Sequence, residues 1–215
     1  LIKIGFVFKI SLFHGGQYVL AVTYYYKSNL TYAILLRKHQ HEFDTQYTFL
    51  DDFTSSPLST HPLSLPIHII GMSINSSSIR LQWADDIITK FEQDTGQHEW
   101  SDMRVGDPME MDFSSATRML NFIYRSLAME ITRYKWNLNA LDNIVKYIDT
   151  LSVENANTQI LVESGERLRD LVAYQISTCQ YNMIRAEFQE KKAQSQLAVV
   201  LLSAISLFSQ ISNMN

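Results

Sequence analysis

The sequence predicts an α+β chain, a small strand-rich N-terminal head followed by long antiparallel helices that form a coiled-coil-like stalk. Three observations carry that expectation. The first fifty residues are dense in β-branched and aromatic types punctuated by short turn signals. The last hundred carry apolar residues at helical spacing. At 215 residues, 46% hydrophobic and 19% charged, the chain has the composition of a globular protein that buries a core without staples.

Taken in order, "KIGFVFKISLF" reads as a strand and His14-Gly15-Gly16-Gln17 as a turn. "YVLAVTYYY", a Lys27-Ser28-Asn29 turn and "LTYAILLRKH" complete a three-stranded antiparallel meander. "DDFTSSPLSTHP" is a linker rich in Asp, Ser, Thr and Pro. Pro62 and Pro66 suit the opening of a helix, with Thr60 or Ser64 as its cap. The helix runs from Ile67 to a stop at Gly96, with Ser76, Ser77 and Ser78 marking a place where it can break. "QHEWSDMRVGDPMEM" is a second loop, so the head with its one helical segment spans 1–110 and the long-helix stalk region spans 111–215.

Two stripes define the stalk. Leu120, Tyr124, Leu127, Ile131, Tyr134, Leu138, Leu141, Val145 and Ile148 alternate spacings of four and three, and every one is apolar. After "SVENANTQ" comes Leu168, Val172, Ile176, Cys179, Met183, Ala186, Glu190, Ala193, Leu197, Val200, Ala204, Leu207 and Ile211, with Glu190 the one polar member. From Ile176 this is a strict heptad. A helix over 160–211 would be about 75 Å long, the length of a stalk or coiled coil. Glu190 is expected to pair with Lys191, Lys192 or a neighbouring helix.

Chemistry is sparse. A net charge of −4 without a basic cluster argues against nucleic acid as a partner. The single cysteine, Cys179, excludes an internal disulfide framework and, lying on the apolar stripe, reads as a small buried hydrophobe rather than a nucleophile. His39 and His41, with Glu42 and Asp44 nearby, could be read as metal ligands, but a solvated strand end is the plainer reading. His61 and His68 share a helix face about 10 Å apart along the axis, too far for one ion. Asp51-Asp52 and Asp85-Asp86 read as surface carboxylates, since neither pair lies in an ion-binding loop. His14-Gly15-Gly16 would suit an oxyanion loop, yet no G-x-S-x-G elbow supplies a nucleophile. Trp83, Trp100 and Trp136 read as packing residues. The sequons at Asn29 and Asn75 have no secretion signal to support them. No catalytic residue and no cofactor-binding residue is assigned, any metal ligand stays unknown, and the chain is expected not to be an enzyme.

The tail "QLAVVLLSAISLFSQISNMN" has no charge, but its longest uninterrupted apolar run is Leu197 to Leu202. Ser203, Ser206 and Gln210 lie opposite the heptad residues, so a packed soluble helix is expected rather than a membrane span. Leu1 in place of methionine suggests that the reading frame begins earlier.

"SPLSTHPLSLPIHIIGMSI", "FEQDTGQHEW" and "FQEKKAQSQLAVVLLSAISLFSQISNMN" resemble the soluble part of the CorA-like transporter domain proteins of filamentous fungi. The resemblance implies the non-enzymatic cytoplasmic head and stalk of a divalent-cation (magnesium) transporter-related protein, with magnesium as a regulatory ion and a homo-oligomer built through the long helices. The family's Gly-Met-Asn element is matched only at Met214-Asn215, with Asn213 where glycine belongs, and no second span follows. The implied chain is soluble, does not conduct by itself, and reaches a membrane only through a missing C-terminal portion. The alternative is a free-standing helical scaffold that binds a coiled-coil partner.

Overall fold

The computed structural model describes residues 3–11, 17–25, 27–38, 53, 61–96, 112–154 and 159–213. The fold class is α+β: a three-stranded antiparallel sheet precedes three long helices. Strands β1 (Lys3–Ser11), β2 (Gln17–Tyr25) and β3 (Leu30–Lys38) pair in chain order. Register follows the period-2 alternation: Phe6 lies opposite Val22 and Phe8 opposite Leu20, all four buried, while Val7 between them faces outward. The β2–β3 turn closes at Asn29, which adopts the left-handed region with φ 52°. Asn tolerates that conformation, and here its Oδ1 accepts a 2.8 Å hydrogen bond from the Tyr24 hydroxyl.

Helix α1 (Ser64–Asp94) opens differently from its expected capping. Ser64 is already helical, and Thr60 lies outside the described residues. The cap is His61: its Nδ1 accepts from the Leu63 N–H at 3.1 Å and its carbonyl from the Ser64 N–H at 3.0 Å. The helix runs through Ser76, Ser77 and Ser78 unbroken. Ser77 is fully buried, and Ser78 Oγ accepts from Asn182 of another helix. Gly96 supplies the expected stop with φ 72°, its N–H bonded to the Gln93 carbonyl. Helix α2 (Phe113–Glu154) is capped by Asp112, whose Oδ1 accepts from the Ser114 and Ser115 N–H groups, both at 3.1 Å. Helix α3 (Gln159–Asn213) continues for 55 residues.

The chain forms two compact units, one of Leu1–Ser77 with Arg133–Gln180 and one of Ser78–Thr132 with Tyr181–Asn215. The first holds the sheet. There Asn137 Nδ2 donates to Ser73 Oγ at 3.2 Å, and Gln175 Nε2 donates to the Ile67 carbonyl at 3.2 Å. Phe6 meets Tyr147 edge-on at 4.6 Å, which ties β1 to α2. Gly71 makes room for Gln175, since a Cβ at that position would lie 2.7 Å from its Nε2.

In the second unit α2 runs antiparallel to α1, and α3 runs parallel to α1: Ser78 pairs with Asn182, and Thr95 with Gln196. Its core is Leu81, Ala84, Ile88, Ile123, Leu127, Ile131, Ala186 and Ala193, continued by Ala116, Leu120 and Val200.

Burial corrects the two stripes in the same way. On α2 the residues sharing the core with Leu120, Leu127, Tyr134, Leu141 and Ile148 are Ile123, Glu130, Asn137, Ile144 and Leu151, whereas Tyr124, Leu138 and Val145 are half-buried. On α3 the buried partners of Val172, Cys179, Ala186, Ala193 and Val200 are Leu168, Gln175, Asn182, Gln189 and Gln196. Ile176, Met183, Glu190 and Leu197 are half-buried beside them. Each seam is a heptad, but one of its two rows sits one residue earlier than apolarity alone indicates. Lys192 pairs with Glu92 of α1 at 2.9 Å rather than with Glu190.

The cap at His61 carries a pH signature. Burial lowers its pKa from 6.5 to about 4, and protonation would remove the acceptor used by Leu63. The unfolded chain binds this proton below about pH 6.5 and the folded chain only near 4, so stability is full above 6.5 and falls through that window. The loss should reach about 3 kcal/mol by pH 4. Urea titrations at stepped pH should show it in the parent and not in His61→Asn, which keeps an acceptor that does not titrate.

Candidate interaction surface

The most organised chemistry lies along α3. Gln175, Asn182, Gln189 and Gln196 recur every seven residues and are all buried. Heptad spacing returns each to the same side of the helix, so each amide meets a neighbour at a defined level. In the first unit Gln175 reaches the Ile67 carbonyl. In the second, Asn182 Nδ2 donates to Ser78 Oγ at 2.7 Å, and the Thr95 hydroxyl donates to Gln196 Oε1 at 3.0 Å. Among the described residues Gln189 Oε1 has no hydrogen-bond partner. The second unit also holds Arg80 Nη1 2.7 Å from Glu130 Oε1, a pair whose carboxylate side chain is 1% exposed. Such a pair is costly to break by removing one partner and contributes registry more than net stability.

The outer side of α3 is the reverse. In the second unit Tyr181, Ile184, Phe188, Lys191, Ser195, Ala198, Leu202 and Ile205 follow alternating spacings of three and four, and every one is exposed. The five large apolar members are 62–67% exposed. Together they leave on the order of 600 Å² open, the upper end of what a monomeric protein exposes in one patch. Two of the aromatic rings carry cations one turn on: the Arg185 guanidinium lies 6.0 Å from the Tyr181 centroid, and Lys192 Nζ lies 5.8 Å from that of Phe188. Arg185 and Lys192 also reach Asp85 and Glu92 of α1, which fixes both cations along one border of the row.

The residues singled out from sequence separate cleanly. His61 is buried and engaged as a cap, while His68 is exposed with its ring 5.9 Å from that of Phe53. Cys179 is fully buried and burial pushes its thiol up to about 12, the behaviour of a packed hydrophobe. Asp86 accepts from Gln82 at 2.9 Å, so the Asp85-Asp86 pair serves side-chain ties. Trp83 packs edge-on against Phe122 at 6.0 Å, whereas Trp136 stands open to solvent. His14, His39, His41, Glu42, Asp44, Asp51, Asp52 and Trp100 lie outside the described residues. Among the described residues no group of three His, Cys, Asp or Glu side chains could hold a metal ion. The outer row on α3 escaped the sequence reading because the stripe sought was the inner one; Tyr181, Phe188 and Leu202 at sevenfold spacing were its visible trace.

No family model matches the chain, and no curated protein matches it.

The amide row makes opposite predictions at adjacent levels. Gln189→Leu removes a buried oxygen without a partner and adds apolar contact between Ala186 and Ala193, so it should raise stability by about 1–2 kcal/mol. Asn182→Leu removes the bond to Ser78 and should lower stability by about the same amount. Urea denaturation of the two variants beside the parent decides it: equal signs would refute the account.

Proposed function

We propose that the chain is a non-enzymatic helical assembly module that self-associates through the outer row of α3. The observation that supports this is the exposed heptad from Tyr181 to Ile205. Scattered exposed apolar residues need no explanation, but a row at heptad period offers a second helix a continuous seam to pack against. An open area on the order of 600 Å² per copy approaches the roughly 800 Å² per partner of a stable interface. Glu187 lies five residues before Lys192 on opposite borders of the row, the offset at which parallel copies exchange ion pairs. A free-standing scaffold capturing another coiled-coil protein would use the same face.

A more specific setting follows the CorA-like resemblance: the module as the cytoplasmic head and stalk of a divalent-cation transporter-related protein, with magnesium as a regulatory ion. What supports it is the order of elements, a strand-rich segment first and a 55-residue helix last. Among the described residues no helix is long and apolar enough to cross a membrane.

Two measurements test these readings. Sedimentation of the purified chain should give a dimer or larger species at micromolar concentration, and Tyr181→Glu/Phe188→Glu/Leu202→Glu should give a monomer of unchanged helicity. A parent that stays monomeric at about 100 μM, a concentration at which even a weak complex forms, sinks self-association. Reading the genomic sequence past Asn215 should reveal two apolar stretches of about twenty residues. Their absence would remove the transporter setting and leave the module standing.

A further inference from the structure

The first unit contains a groove of ≈ 260 Å³ walled by Phe6, Val7, Phe8 and Lys9 on one side. Successive side chains of a strand point to opposite faces, so a groove touched by four consecutive residues runs along the strand's edge rather than over either face. β1 is an edge strand, its one partner among the described residues being β2. Its free side therefore presents backbone N–H and C=O groups at every second residue. The opposite wall is one face of α2: Trp136, Asn139, Ala140, Asn143 and Tyr147, spaced by three and four.

Both the chemistry and the placement of these walls suit an extended chain. Phe6 is buried and held edge-on by Tyr147, which makes a fixed apolar floor. Val7 and Trp136 stand at the rim, 75% and 61% exposed. Asn139 and Asn143 line the groove, and an amide can serve either a backbone N–H or a carbonyl. Among the described residues Lys9 is the one charged group lining the groove, and no carboxylate lines it. Lys3 lies on the same outward face of β1, with Gly5 and Val7 between the two lysines.

We propose that this groove binds an extended acidic peptide segment of a partner protein, added as a fourth strand along the free edge of β1. Main-chain hydrogen bonds would supply affinity and alternate side chains specificity. Positions facing Phe6 and Phe8 take apolar residues into the groove. On the other face a carboxylate opposite Lys9 and another opposite Lys3, six residues apart with an apolar residue between, complement the two cations and Val7. The same lysines disfavour a second copy of β1 as the occupant, because pairing would gather four cations on one face. This site is independent of the α3 row and would survive the failure of self-association.

The test uses the full chain and a fluorescein-labelled nine-residue peptide. The peptide carries Asp at its second and eighth positions, Val at its fourth, opposite Val7 when it runs antiparallel to β1, and Phe or Ile at its odd-numbered positions. Anisotropy should show saturable binding, about tenfold weaker when both Asp are replaced by Lys. N-methylation of the backbone nitrogens facing β1 should abolish it, because the ladder donors are then gone. Lys3→Glu/Lys9→Glu, two exposed changes that spare the fold, should reverse the preference toward the Lys peptide. No binding, or equal binding of the N-methylated peptide, would overturn strand addition. An unchanged preference in the charge-reversed variant would overturn the acidic class of partner.

Discussion

Within each unit, helix register depends on buried polar side chains that meet a partner on a neighbouring helix. An apolar heptad seam tolerates sliding by a turn, because one leucine layer resembles the next. Gln175 tolerates it much less, since its Nε2 must find the Ile67 carbonyl and its bulk must fall beside Gly71, where a Cβ would lie 2.7 Å away. In the second unit Asn182 meets Ser78 and Gln196 meets Thr95, so two levels of α3 are fixed against α1 separately. The Arg80–Glu130 pair fixes α2 against α1 in that unit. Within either unit, a slip of α3 by one turn against α1 would break the bonds made there, at a cost of about 1–3 kcal/mol for each buried group left without a partner.

That arrangement explains how far the fold could be read from sequence. The meander was legible because strand alternation, Asn29 and the short second turn all point one way. Helix α1 was legible to its end, since Gly96 with φ 72° behaves as a stop residue must. The faces of α2 and α3 were read one row off, and the reason is physical. Reading apolarity as burial selects Tyr124, Leu138 and Val145 over Glu130 and Asn137, and Ile176, Met183 and Leu197 over Gln175, Asn182 and Gln196. The half-buried rows flank the seam and are apolar because they close its borders; the seam itself contains the polar residues. Only partners distant in sequence make those polar residues affordable inside, and such partners are invisible to a periodicity argument. The same holds for His61, whose capping role needs the backbone turn that brings the Leu63 N–H to its ring.

An amide-rich seam also changes the balance between inside and outside. Each position on α3 given to Gln or Asn forgoes the roughly 1.5–3 kcal/mol that burying a large aliphatic side chain would contribute. On the same helix Tyr181, Ile184, Phe188, Leu202 and Ile205 remain in water. A helix selected for an isolated three-helix core would carry these two sets the other way round. Their placement fits a division of labour in which inner polar residues set register and outer apolar residues supply association energy.

The borders of the outer row strengthen that argument. Cations placed over aromatic faces could serve merely to shield them from water, which would favour an isolated surface. Arg185 and Lys192, however, are held to one border by Asp85 and Glu92 of α1, leaving the other border and the row between free of them. The two cations lie 6.0 and 5.8 Å from the Tyr181 and Phe188 ring centroids, and both residues still show more than half their surface. Fixing a ring by a tethered cation removes rotamer entropy before a partner arrives, so less ordering cost remains to be met on association. The charged border thus acts as a scaffold for the apolar row, and this is the property that the proposed self-association through α3 would use.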